Sequence, residues 1–438
     1  METIETPKPG STLDNLIDKG KLFFKAMIIF VMAFFLWVPT QLIREVINER
    51  EKRQKEAIEE VGSKWAGKQT ITGPILMIPY NGTGSNGAGY EKKYAWFMAD
   101  VLDISSSVAP QKRHRGIYDV VVYQGDISIT ARFNDIKLKQ VNAAPENFAW
   151  SEAKLVLQIS DLSRGIGEEI YIRWKDSSLL CQPWTEPNTN IGDAIYAAVP
   201  LKPEDANAQN VFTTKFSLHG SQQLMFSPAA RETRIQMTGD WPDPSFTGIK
   251  LPETPNSSDS GINVKWRYVN RNTPMVWNDQ FINLQNSSMG ANLIIPVDGY
   301  DKTERSIKYA LLCIVLTFAA FFLIETIYKR PLHLLQYGLA GLALVLFYTL
   351  LLSISEYTGF NLAYLIAGVA TIGLVTWFVG SIMKSGKLAT FISFVLTVVY
   401  GYIFTIIQLQ DYSLLMGSIG LFVALAIIMY FSRKMQWQ

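Results

Sequence analysis

The 438-residue chain has a formal net charge of +2 and 48% hydrophobic residues, averages that conceal an uneven distribution. The apolar residues are concentrated at the two ends, whereas the middle, about residues 43–308, is polar and long enough to bury its own core. Two cysteines, Cys181 and Cys313, exclude a disulfide framework, so the middle segment must be held by packing and hydrogen bonds.

The first predicted element is an apolar helix over residues 21–42, preceded by a tail at 1–20. Its length matches the roughly 20 residues that an α-helix needs to cross a bilayer. No small-residue cleavage pattern follows it. We interpret the helix as a retained signal anchor, transmembrane helix 1, with a cytoplasmic tail before it.

A charged segment at residues 43–60 comes next. Opposite charges four residues apart, such as those of Glu49 and Arg53, support a solvated helix. Apolar residues recur in it at roughly helical spacing. The segment is predicted to be a stalk that continues the first membrane helix, and the alternative is a helix that binds a partner.

From Trp65 onward, short alternating segments rich in Val, Ile, Thr and Tyr predict a mainly β domain. The clearest strands are residues 116–123, 126–133, 153–159 and 262–268. Glycines between residues 82 and 89 indicate a hairpin loop. Prolines between residues 242 and 255 argue against a central strand and indicate a surface loop, with a flexible continuation at 256–261.

Five further apolar stretches at residues 309–431 predict a transmembrane bundle, followed by a tail at 432–438. The basic connections contain Lys329, Arg330, Lys384, Lys387, Arg433 and Lys434, and the other two contain Glu356 and Asp411. Because cytoplasmic loops collect Lys and Arg, both termini are expected in the cytoplasm and residues 43–308 outside it. The predicted fold class is an α+β membrane protein with six transmembrane α-helices, one N-terminal and five C-terminal, and a large β-rich extracytoplasmic domain between the first and second.

Two acidic residues are candidate polar positions of the membrane bundle. Glu325 precedes Lys329 by four residues, which indicates an interfacial ion pair rather than a proton relay, and Glu356 is expected in an outer loop. Small residues every four positions predict close helix packing rather than substrate binding. These are Gly359, Ala363, Ala367 and Thr371.

No motif in the chain predicts catalysis. Residues 62–69 resemble a P-loop, but Gln69 occupies the position that requires a hydroxyl. Ser151 and Lys154 match an S-x-x-K pattern without its companion motifs. The three histidines form no H-x-x-x-H pair, and His219 is expected in a turn. We therefore predict a protein that is not an enzyme, with no catalytic residue, cofactor, metal, nucleotide or nucleic-acid partner.

Several short motifs follow one another along almost the whole chain. They include Gly73-Pro-Ile-Leu-Met-Ile-Pro-Tyr80, Trp241-Pro-Asp-Pro-Ser-Phe-Thr-Gly248, Ile295-Pro-Val-Asp-Gly-Tyr300, Lys302-Thr-Glu-Arg305 and Gly359-Phe-Asn-Leu-Ala-Tyr364. In this order they resemble the CreD family of bacterial inner-membrane proteins, described as cell envelope integrity proteins. One departure is Asp243, where the family is expected to have histidine; an aspartate still caps a turn with its side-chain oxygen.

The resemblance implies a Gram-negative inner-membrane protein with a periplasmic domain, tied to a two-component stress response and to tolerance of envelope-directed agents. It supplies no reaction. The leading hypothesis is therefore a non-enzymatic protein that contacts the lipid bilayer and whose periplasmic β domain binds an envelope protein, lipid or cell-wall component. The competing hypothesis is a transporter or flippase-like component that uses the C-terminal bundle.

Two further sets of residues are candidates for function. The candidate recognition surface consists of Trp241, Pro242, Pro244 and Phe246, with the alternative that its aromatic residues fill the core of their own domain. The candidate coupling segment between domain and bundle contains Asp298, Tyr300, Lys302, Glu304 and Arg305.

Overall fold

The structure, a computed structural model, describes residues 11–83, 90–141, 143–186, 189, 191–242, 244–253, 261–293, 298–328, 331–409 and 413–434. The chain forms two compact units, which we call the β unit, Gln54–Pro296, and the helical unit, Met1–Arg53 with Val297–Gln438. Both boundaries lie inside the predicted 43–308 segment, because residues 43–53 and the helix that begins at Asp298 belong with the other helices.

The α-helices are α1 Ser11–Trp65, α2 Leu162–Gly165, α3 Asp298–Lys308, α4 Ala310–Tyr328, α5 Leu334–Thr358, α6 Phe360–Met383, α7 Gly386–Gln408 and α8 Ser413–Lys434. Within the described residues, five are long and apolar enough to cross a membrane: α1 from Phe23 onward, α4, α5, α6 and α7. Helix α8 lies where the last span is predicted, but for several of its residues only the backbone is described. Lys329, Arg330 and Asp411 lie outside the described residues.

The described strands are β1 Gln69–Thr83, β2 Tyr90–Arg115, β3 Tyr118–Phe133, β4 Lys154–Ile159, β5 Tyr171–Trp174, β6 Ser177–Leu180, β7 Gln182–Pro183, β8 Ala194–Ala198, β9 Asn210–Ser221, β10 Gln223–Ser227, β11 Ala230–Gly239, β12 Ser245–Gly248, β13 Ile262–Val269, β14 Val276–Asn278 and β15 Met289–Asn292. All of them lie in the β unit. The strands predicted at 116–123 and 126–133 are two parts of the single strand β3.

Strand β2 connects two parts of the sheet because it is 26 residues long. Its residues 90–98 pair antiparallel with β1, and residues 101–115 pair antiparallel with β3. On the other side of its second part, β11 lies parallel to it and β13 lies antiparallel to β11. The strand order in this region is therefore β13, β11, β2, β3, with β9 following β3.

Alternation along these strands separates an apolar face from a polar one, since successive side chains of a strand point to opposite sides. On β3, Ile127 and Ile129 are buried whereas Ser128 and Thr130 are half-buried on the other face. The apolar face contributes to a continuous core whose largest members include Trp96, Trp174 and Trp266. The opposite, polar face forms the candidate site described below.

The proline-bounded segment that was expected to be a loop contains strand β12. Within the described strands it pairs with β15 alone, which makes it an edge strand. Edge positions tolerate neighbouring prolines because a missing N–H there breaks no ladder hydrogen bond. The predicted glycine loop at residues 84–89 and the predicted flexible residues 256–260 lie outside the described residues.

Candidate functional site

A groove of about 450 Å³, lined mainly by polar and charged residues, lies on the outward face of strands β13, β11, β2 and β3. Strand register arranges its side chains in two rows that each cross all four strands. The first row consists of Arg267, Arg234, Asp103 and Thr130, and the second of Lys265, Gln236, Ser105 and Ser128. Cationic groups therefore lie at the β13 end and hydroxyl groups at the β3 end.

The hydroxyl end of the groove is open because its residues are small. Ser105 and Ser128 are cross-strand partners, and each carries a single hydroxyl group where a longer side chain would fill the space. Their chain neighbours Ile104 and Ile129 point into the core. Burial of those apolar neighbours determines the register, because a one-residue slip would move every apolar side chain of the strand into water.

The cationic end contains two arginines that share one carboxylate. Arg234 and Arg267 are cross-strand partners, and their guanidinium nitrogens lie 2.9 Å and 2.8 Å from the same Glu232 oxygen, Oε1. Hydrogen bonds from Arg234 and then Arg267 hold the pKa of the Glu232 carboxyl below its ordinary value of 4.5. Glu232 is therefore ionised at neutral pH and partly offsets the repulsion between the two guanidinium groups.

Ion pairs continue this arrangement toward β3. Asp103 accepts a hydrogen bond from the Arg132 guanidinium at 2.5 Å and lies 3.7 Å from a nitrogen of Arg234. At the opposite end, the backbone N–H of Glu253 donates to the carbonyl of Lys265, 2.8 Å away, so the segment after β12 covers the outer edge of β13. The segment after β12 therefore closes the groove at its β13 edge, and partly exposed charged side chains line it.

Such a lining can bind a polar ligand through charge-assisted hydrogen bonds from the guanidinium groups and neutral ones from the hydroxyl groups. Among the described residues, no group of three or more His, Cys, Asp or Glu side chains is arranged to hold a metal ion. His219, expected in a turn, lies instead in strand β9, where its ring packs against Trp65 with centroids 4.9 Å apart.

The sequence-predicted recognition surface requires a correction. Trp241 is only 6% exposed and belongs to the core of the β unit, the alternative considered for it, because long-range packing covers its ring. Phe246 is half-buried and packs edge-to-face on Trp266, with ring centroids 5.7 Å apart. Pro242 is exposed and Pro244 is half-buried, while Asp243 lies outside the described residues. The aromatic pair therefore does not form an exposed surface.

The predicted coupling residues lie in helix α3 of the helical unit. The Tyr300 hydroxyl donates to Glu356 at 3.2 Å, and the Arg50 side chain lies 3.7 Å from the same carboxylate. Glu304 accepts a hydrogen bond from Arg44 at 2.7 Å. Helix α3 also contains the remaining members, Asp298, Lys302 and Arg305, and for Asp298 only the backbone is described.

Glu356 lies in the last turn of α5, not in a loop as expected. Its carboxylate therefore helps to join α1, α3 and α5.

Glu325 has two partners that were not predicted from the sequence. It forms an ion pair with Lys25 of α1 and accepts a hydrogen bond from the Tyr337 hydroxyl at 2.9 Å. Lys25 also donates to the carbonyl of Leu332 at 2.7 Å. The expected partner, Lys329, lies outside the described residues. Lys25 itself could have predicted this ion pair from the sequence, because a lysine within an apolar helix needs an acidic or polar partner.

The small residues spaced every four positions have two different roles. Ala363, Ala367 and Thr371 are buried on α6, which packs against α5 and α7. Gly359 is exposed, and a Cβ there would meet nothing within 4 Å. Its φ of +79° instead permits the turn between α5 and α6, a conformation that favours glycine.

Comparisons with known proteins agree along nearly the whole chain. The family profile described as "Inner membrane protein CreD" matches residues 21–438. The Escherichia coli (strain K12) inner membrane protein CreD is 29% identical over 430 residues, which cover 96% of this chain and 94% of that protein.

Among solved structures, one crystal structure of a Parabacteroides distasonis protein, provisionally assigned as a protease, aligns with 69% of this chain and 58% of its own at 10% identity. Its TM-score of 0.22 is too low to carry an argument about fold or activity. The family match alone covers far more than half of the sequence. The chain therefore belongs to the CreD family of inner membrane proteins.

Proposed function

We propose that this protein is a non-enzymatic envelope-integrity protein of a stress-response, two-component regulon, and that its β unit binds an envelope protein, lipid or cell-wall component. The groove lined by polar and charged residues is the observation that carries the proposal. Its volume of about 450 Å³ falls in the range of ordinary ligand sites, roughly 300–1,000 Å³. Its side chains project from paired strands, which hold them in defined positions.

We further propose six membrane spans, with both termini in the cytoplasm and residues 43–308 in the periplasm. The distribution of Lys and Arg among the C-terminal connections supports this orientation. Helix α1 supports the first span. Its ion-paired residues Lys25 and Arg44 are about 28 Å apart at 1.5 Å per residue, close to the roughly 30 Å of a bilayer core.

A blocked groove tests the proposed function in cells. Ser105→Trp fills the hydroxyl end of the groove, and Gln111→Trp is its control, because Gln111 is exposed on the same strand about 20 Å away. In a strain lacking the protein, we expect the first variant to fail to restore growth under envelope stress and the second to restore it. Both variants must reach the membrane at the level of the wild type.

Photo-crosslinking identifies what the groove binds. A photoreactive residue at Ser105 or Ser128 is expected to capture the same envelope component in living cells, and one at Gln111 is not. Full complementation by Ser105→Trp, together with no capture at either groove position, contradicts the proposal. Loss of function with Glu325→Gln but not with Lys25→Met, which breaks the same ion pair, favours the transporter hypothesis instead.

A further inference from the structure

The charges around the groove do not cancel. The four cationic side chains are Arg132, Arg234, Arg267 and Lys265, and the two carboxylates between them are Asp103 and Glu232. Glu253, which also lines the groove, is paired with Lys250 at 2.9 Å and adds no net charge. Two positive charges therefore remain in excess among these groove side chains.

The excess is concentrated at the β13 end. Arg234 lies directly opposite Arg267, an arrangement of like charges that is unfavourable in an antiparallel pair. Glu232 contacts both, but their side chains remain 50% and 59% exposed, so each guanidinium group retains donors that face water. Lys265 is exposed in the adjacent row. A second anion at this position would offset the repulsion that a single carboxylate leaves.

The remainder of the groove has a different chemistry. The second row passes from Lys265 through the amide of Gln236 to the hydroxyl groups of Ser105 and Ser128, and the first passes from the arginines through Asp103, which is paired with Arg132, to the hydroxyl group of Thr130. Amide and hydroxyl groups both donate and accept hydrogen bonds. They suit a ligand that presents several hydroxyl or amide groups beside its charge.

We propose that the groove binds an anionic sugar, with its carboxylate or phosphate at Arg234, Arg267 and Lys265 and its ring hydroxyl groups along β2 and β3. This proposal rests on the proposed function, because it names the ligand class of the same groove. The shared chemistry is an acidic group on a hydroxyl-bearing ring. A carboxylate and a phosphate are distinguished by separate arms of the test.

The test compares three probes that share one ring: glucose, glucuronate and glucose 1-phosphate. Their binding to the purified full-length chain in detergent is measured by saturation-transfer difference NMR. We expect at least one of the anionic probes to bind tenfold more tightly than glucose. The variants Arg267→Gln and Lys265→Gln should each remove most of that preference.

Lys112→Gln provides the matched control, because it removes one positive charge from β2 at an exposed position about 30 Å from Asp103. It should leave binding of the anionic probes unchanged. Equal binding of all three probes, unaffected by the variants, overturns the ligand class, as does no binding by any of them. If the groove still captures an envelope component in cells, only the ligand class fails; if capture also fails and Ser105→Trp restores growth, so does the proposed function.

Discussion

Loss of either partner of the Lys25–Glu325 ion pair is predicted to weaken the attachment of α1 to the other helices of its unit. The Lys25 and Glu325 side chains are 23% and 11% exposed, so a lone charge left at either position would be largely dehydrated. Removing one partner of a fully buried pair costs about 3–5 kcal/mol. Polar contacts between membrane helices average about 0.6 kcal/mol.

Because this pair is only partly buried, we expect each single substitution to lower the unfolding free energy by a value between those limits, about 2 kcal/mol. This decrease corresponds to roughly a 30-fold change in the unfolding equilibrium constant. The variants are Lys25→Met, Glu325→Gln and the double substitution. Their unfolding free energies are measured by titration with dodecyl sulfate in mixed micelles. The double-mutant cycle isolates the interaction. The double substitution should lower the unfolding free energy by less than the sum of the decreases caused by the two single substitutions.

The pair of Glu49 and Arg53 is the control. It lies on the same helix, with side chains 58% and 60% exposed, and an exposed pair four residues apart contributes about 0.3–0.5 kcal/mol. The Lys25–Glu325 cycle should give a clearly larger coupling energy. Equal coupling energies in the two cycles would refute the reasoning that burial makes the first pair important.

Three further predictions concern the β unit. Trp241→Ala should lower its unfolding free energy by about 3–5 kcal/mol because it leaves a cavity in the core, whereas Phe246→Ala, at a half-buried position, should cost less in the same thermal melt. The lowered pKa of Glu232 means that its carboxylate stabilises the fold above about pH 4.5 and loses this effect as the pH falls through the folded-state pKa. Glu232→Gln should therefore lower the melting temperature at pH 7, with a difference from the wild type that narrows toward pH 3. Burial raises the pKa of the Cys181 thiol to about 12, so iodoacetamide at pH 8 should label the folded chain much more slowly than the denatured chain; equal rates would contradict this burial.

Local patterns were sufficient to predict most of the secondary structure. Apolar length identified the candidate membrane helices, and alternation identified strands such as β4 and β13 within one or two residues. Prolines were less informative, because the segment around β12 combines strand geometry with an edge position that a local pattern does not reveal. The length of β2 was missed, since its neighbours change from β1 to β3 partway along.

The groove was not predictable from sequence alone. Alternation indicates that Asp103, Thr130, Arg234 and Arg267 share a face with other polar residues, but only strand pairing brings them into one row. Trp241 illustrates a related problem, because its position among prolines is compatible with either exposure or burial, and residues distant in sequence cover its ring. Both outcomes depend on long-range contacts that periodicity does not encode.

The partner of Lys25 also determines when this contact can form during synthesis. Glu325 follows it by 300 residues, and at about 5–20 residues per second the ribosome needs roughly 15–60 s to reach it. During that interval, the ammonium group of the newly inserted α1 must be solvated by water and lipid headgroups. Lys25 can therefore form this ion pair only after α4 has emerged, which makes the ion pair a late step in assembly.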